Sequence, residues 1–179
     1  YGVSIPLEPG GWWHQYVCPT HHTELLFDHG EQHPTSFRCP HGCLIEGERY
    51  REAWLVFKHQ AAARTALESA VVYAAEGDKR YAELAASIIV SYARQYPLYP
   101  EHPHAQPWML KGRAFHQALT EAIWFTTLIR ALLVLRDAGN ELASNEPDIE
   151  RFLTMMERSM LEYRHILVHD RGNPENNYT

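Results

Sequence analysis

The sequence predicts an all-α protein of antiparallel helix pairs behind an irregular N-terminal segment that is clipped by metal. Three observations predict it. Four long amphipathic stretches follow one another with short breaks after about residue 48. Residues 1–47 are instead punctuated by Pro6, Pro9, Gly10, Gly11, Pro19, Gly30, Pro34, Pro40, Gly42 and Gly47. And all three cysteines, with five of the twelve histidines, fall between Cys18 and Cys43.

The first helix is expected from about Arg49 to Glu76, alanine-rich and stopped by Gly77. Asp78 is a good N-cap for the second. There Tyr81, Leu84, Ala85, Ile88, Ile89 and Tyr92 recur on one helical face, and the helix ends before Pro97. Residues 97–107, with four prolines, read as a loop. A third helix is expected from about Gly112 to Ala138. A fourth follows Asn145, with Pro147 in its first turn and an apolar stripe of Ile149, Phe152, Leu153, Met156, Met160 and Tyr163, ending near His169. The organisation is therefore 1–47, irregular, and 48–179, helical.

At 179 residues the chain is sized for one domain, and its 45% apolar and 12% aromatic content supports a real core and excludes wholesale disorder. A formal charge of −6 argues against a general nucleic-acid partner. No apolar run approaches the ~20 residues of a membrane span, so none is expected. No signal peptide is visible, but the chain starts at Tyr1, not Met, so the sequence leaves export open.

Three cysteines cannot form a complete disulfide set within one chain. Cys18 and His21 have C-x-x-H spacing. Cys39 and Cys43 follow about twenty residues later, on a second proline-containing turn. Thiolate with imidazole suits Zn²⁺. The expected ligands are Cys18, His21, Cys39 and Cys43, with His22 competing with His21 and His41 with Cys43. Four protein ligands leave no open position for substrate, so such a zinc would be structural. The plain alternative is free thiols beside exposed histidines.

Two further stretches carry candidate chemistry. On the third helix Arg113, Gln117 and Glu121 fall at i, i+4 and i+8, with Trp124 extending the line. Guanidinium, amide, carboxyl and indole together suit an acidic sugar; the alternative is an ordinary solvated face. In the closing run "HDRGNPENNYT", Asn176 and Asn177 could supply amide donors at a helix start, or simply form a turn.

The stretches "GWWHQYVCPTHH…FRCPHGC", "YAAEGDKRYAELAASIIVSYARQY", "KGRAFHQALTEAIW" and "GNPENNYT", in this order, resemble the N-terminal helical part of the heparinase II/III-like polysaccharide lyases. The resemblance implies an incomplete (α/α) toroid around a cleft for an acidic polysaccharide, and β-elimination at a uronic acid. It places Asn176 and Asn177 at carboxylate neutralisation, with Tyr178 where a His would sit, and Arg113, Gln117 and Glu121 on the cleft floor. It implies that the catalytic Tyr and a β region belong beyond Thr179, so that this stretch alone has little activity and acts with the remaining C-terminal part of the same protein. Two rival readings are a non-enzymatic binding module with a zinc knuckle and an (α/α) glycoside hydrolase. The hydrolase needs two facing acids, and only Glu121 is well placed.

Overall fold

The structure, a computed structural model, describes residues 4–100, 112–139 and 142–169. Its N-terminal segment holds a 3-10 turn, Trp13–Gln15, and a two-stranded antiparallel hairpin, β1 (Ser36–Arg38) and β2 (Leu44–Glu46), with Phe37 opposite Ile45. Four helices follow: α1 (Glu48–Glu76), α2 (Lys79–Gln95), α3 (Ala118–Asp137) and α4 (Glu146–His169). The protein is mostly helical, as expected.

Local chemistry accounts for the helix ends. Gly77 takes a left-handed conformation, φ 73°, and its N–H donates to the Tyr73 carbonyl, closing α1. The Asp78 carboxylate accepts the Arg80 N–H at 3.0 Å, opening α2. A two-residue connection folds α2 back along α1, and α1 also packs on α3. In the α2 stripe Ala85, Ile88, Ile89 and Tyr92 are buried and Leu84 half-buried, while Tyr81 at the helix start is 37% exposed. On α4, Ile149, Phe152 and Met156 are buried.

Two apolar clusters share α1. Its first turns give Tyr50, Ala53, Trp54 and Leu55 to a small cluster with Tyr16, Leu25 and Phe37 from the N-terminal segment. Its later, smaller residues Ala62, Ala63, Ala66 and Ala70 let α2 and α3 approach closely, in a core filled by Ile88, Tyr92, Trp124, Leu128 and Phe152.

The third helix departs from expectation. It starts at Ala118, not near Gly112, and residues 113–117 form bends. Glu121 and Gly10 hold the turn before it. The Glu121 carboxylate folds back and accepts the N–H groups of Arg113 and Ala114, each at 2.7 Å, and the Tyr96 hydroxyl at 2.7 Å. The carbonyl of Ala114, which a longer helix would pair with the N–H of residue 118, accepts the Gly10 N–H at 2.8 Å instead. A Cβ at Gly112 would sit 2.4 Å from Glu121 Oε2, so only glycine fits there. By length and composition α3 could cross a membrane, which the sequence reading did not anticipate; it packs here against α1 while Leu119, Ile123 and Leu133 stay exposed.

Candidate functional site

The metal-ligand quartet is assembled by two turns. In the first, the His22 N–H donates to the Cys18 carbonyl at 2.9 Å, and the Cys18 N–H to Thr23 O at 2.8 Å. In the second, the Gly42 N–H donates to Cys39 O and the Cys39 N–H to Cys43 O, closing the turn between β1 and β2. The ligand atoms of Cys18, His21, Cys39 and Cys43 all lie within 4.8 Å of one another. His21 Nδ1 stands 3.6, 3.6 and 3.4 Å from the sulfurs of Cys18, Cys39 and Cys43. Tetrahedral zinc, with Zn–S of about 2.3 Å and Zn–N of about 2.0 Å, needs N···S edges of about 3.5 Å. The residues fit that ion.

The geometry selects among the competing ligands. His22 has φ 53° and leaves the quartet. His41 stacks on the His21 ring at 4.5 Å and gives its backbone N–H to Cys39 Sγ at 3.4 Å, so it supports the site from beside it. Thiolate chemistry agrees. Burial pushes the Cys18 thiol up, but hydrogen bonds from the backbone and ring of His21 and from Thr20 outweigh it, lowering Cys18 to about 6. Burial, then the negative charge of Cys18 and Cys39, pushes Cys43 upward. Without a cation the cluster resists full ionisation; a bound dication would remove that resistance.

The second group sits around the start of α3. Arg113 is half-buried, and its guanidinium donates to Tyr99 O at 3.0 Å. Gln117 is the residue before α3 and is 7% exposed; Thr120 donates to its amide oxygen at 3.5 Å. Glu121 is 0% and Trp124 1% exposed. The four do not line one helix face: Arg113 and Gln117 precede α3, and Glu121 and Trp124 lie beneath. Burial raises the Glu121 carboxyl, against the opposing pull of its Tyr96, Ala114 and Arg113 hydrogen bonds. Burial also raises Tyr92, Tyr96 and Tyr99, and Tyr163 on α4, which leaves none of these phenols poised as a base. Asn176, Asn177 and Tyr178 lie outside the described residues.

The two groups are joined through the N-terminal segment. The Gly10 N–H donates to Ala114 O at 2.8 Å, the Gly11 N–H to Glu52 O at 2.8 Å, and the His116 N–H to Gly11 O at 3.4 Å. A residue missed by sequence reasoning locks this segment: His59, fully buried on α1. The Glu8 carbonyl can only accept, so His59 Nε2 donates to it at 2.9 Å, and Nδ1 accepts the Tyr92 hydroxyl at 2.9 Å. Burial lowers His59 to about 4, against a smaller rise from the Glu8 bond, so it is neutral near pH 7. The 0, 3, 4, 7 spacing of His59, Ala62, Ala63 and Ala66 was the signal that could have found it.

Comparison with known proteins relates the chain to polysaccharide lyases. It is 27% identical over 100 residues, 56% of its length, to an alginate lyase of Stenotrophomonas maltophilia (strain K279a). It is 31% identical over 84 residues, 47% of its length, to an exo-oligoalginate lyase of Saccharophagus degradans. The matched stretches are 13% and 11% of those relatives, so the chain spans only a small part of either. No family model and no solved structure matches the chain.

Proposed function

We propose that the chain is the N-terminal helical portion of a heparinase II/III-like lyase that cleaves a polyuronate such as alginate by β-elimination. The observation that carries this reading is the similarity to two alginate-cleaving relatives in a mostly helical chain. In the reaction a base removes the proton on the carbon next to the uronate carboxylate. A C=C bond forms, the C–O bond to the leaving sugar breaks, and an acid protonates that oxygen. Neutralising the carboxylate makes the proton acidic enough. Asn176 and Asn177 take this role in the proposal, and Arg113 faces the substrate. Gln117, Glu121 and Trp124 hold the Arg113 turn from beneath.

The helices belong, on this reading, to an incomplete (α/α) toroid. The exposed Leu119, Ile123 and Leu133 of α3, with Leu161 and Val168 of α4, are the faces that its further helices and C-terminal part would cover. The quartet holds a structural zinc that ties the two turns of the N-terminal segment together, and Tyr16, Leu25 and Phe37 seat that segment on α1. The test is ultraviolet absorbance of unsaturated uronate when the complete protein meets alginate. A rise that is lost in Asn176→Ala and Asn177→Ala is the expected result, with little turnover by these 179 residues alone. New reducing ends without absorbance would mark a hydrolase, and binding without cleavage a binding module.

A further inference from the structure

A second recognition site is suggested beside the metal quartet. A cleft of about 240 Å³ is lined by His14 and Gln15 from the 3-10 turn, by Cys18, Pro19 and His22 from the first metal turn, and by Arg49 and Tyr50 from the start of α1. Among the described residues no carboxylate lines it, in a chain whose formal charge is −6. Arg49 makes no ion pair among the described residues. Its guanidinium lies over the buried Tyr50 ring, 4.5 Å from the centroid, and donates to the Tyr50 hydroxyl. That bond and stack hold the planar fork in place and leave its other donors for a ligand.

An aromatic ring packs on one of the lining residues. Trp13 is 39% exposed, and its ring stacks on the cleft-lining His14 at 3.7 Å with 29° between planes. One face of the indole is thereby occupied, and its exposed surface suits the apolar face of a sugar. A fixed guanidinium beside a ring platform suits a pyranose bearing a carboxylate, and the cleft takes one ring rather than a chain. The same segment reaches the Arg113 turn three residues earlier, through Gly10 and Gly11.

We propose that Trp13, His14, Gln15, His22 and Arg49 form a subsite for one uronate residue, separate from the Arg113 turn. The choice of uronate rests on the function proposed above. The experiment titrates the 179-residue chain with trimannuronate and with neutral mannotriose, following the Trp13 indole N–H by NMR. The expected result is trimannuronate binding that moves the Trp13 signal and weakens about tenfold in Arg49→Gln, the loss of one charge-assisted contact. Arg38→Gln, exposed on β1 outside the cleft, should bind as wild type does. Unchanged metal content and far-ultraviolet dichroism in Arg49→Gln would show that the fold is kept. Equal affinity in Arg49→Gln, equal affinity for mannotriose, or no binding by the wild type would overturn the subsite. These outcomes are distinct from failure of the lyase reading, which shows as absent unsaturated product while Arg49-dependent binding persists.

Discussion

The N-terminal segment and the helical body are stabilised by different physics on the same scaffold, α1. The segment buries few large apolar residues, Tyr16, Leu25 and Phe37 among them, and has one short hairpin. Its two turns converge at the ligand quartet, where the three sulfurs stand 3.4–3.6 Å from His21 Nδ1. The body has a continuous core from Val56 to Met156, which Ile5 of the segment also enters, with polar groups such as His59 and Glu121 sealed inside and bonded. A short segment with little core gains most from a metal. A helical body gains most from burial and is most sensitive to groups left unpaired inside it.

Removing metal should separate the two regions and gives the largest effect. A chelator, or Cys39→Ser, should erase amide protection across Val17–Glu24 and β1–β2, by more than about a hundredfold, while α2 and α4 keep theirs. Hydrogen exchange reads this directly, and metal analysis of the untreated chain should find one zinc. A zinc-free chain whose melting ignores chelator would erase the distinction between the regions.

The converse break is Glu121→Ala. It strands the Arg113 and Ala114 amides and the Tyr96 hydroxyl, at roughly 1–3 kcal/mol each, so about 3–9 kcal/mol should be lost in urea unfolding. Zinc content should not change, because the residue touches only the body. Next in size is His59. Its folded value of about 4 lies below the ordinary 6.5 because burial penalises the imidazolium. The unfolded chain therefore binds more protons between pH 6.5 and 4, and stability falls as pH drops through that window, by about 3 kcal/mol. Glu121, with its carboxyl raised, slopes the opposite way. Comparing wild type with His59→Gln at each pH isolates the histidine: the gap should shrink steadily from pH 7 to 4.

Legibility in the sequence differed between the regions for physical reasons. Ligand spacing is local, so Cys18, Cys39 and Cys43 could be read directly. The choice between adjacent His21 and His22 could not, because it depends on the backbone turning to φ 53° at His22. Helix ends at Gly77 and Asp78 were legible from cap chemistry. The start of α3 was not: the pattern Arg113, Gln117, Glu121 is helical on paper, and only the fold sends the Glu121 carboxylate back to the Arg113 and Ala114 amides. The cleft at Arg49 joins residues 14 to 50 in space, a grouping that no spacing rule encodes.

The smallest effect tests whether the body tolerates local strain that packing does not amplify. Gly77 has φ 73°, and a Cβ built there meets nothing within 4 Å. Gly77→Ala therefore adds only the cost of a left-handed alanine, about 1 kcal/mol, with no clash. Gly112→Ala places its Cβ 2.4 Å from Glu121 Oε2 and must break that carboxylate's bonds. The shifts in urea midpoint should then differ by several-fold between two chemically identical substitutions. Equal shifts would mean that the Glu121 turn yields freely, and that burial rather than bonding holds the entry to α3.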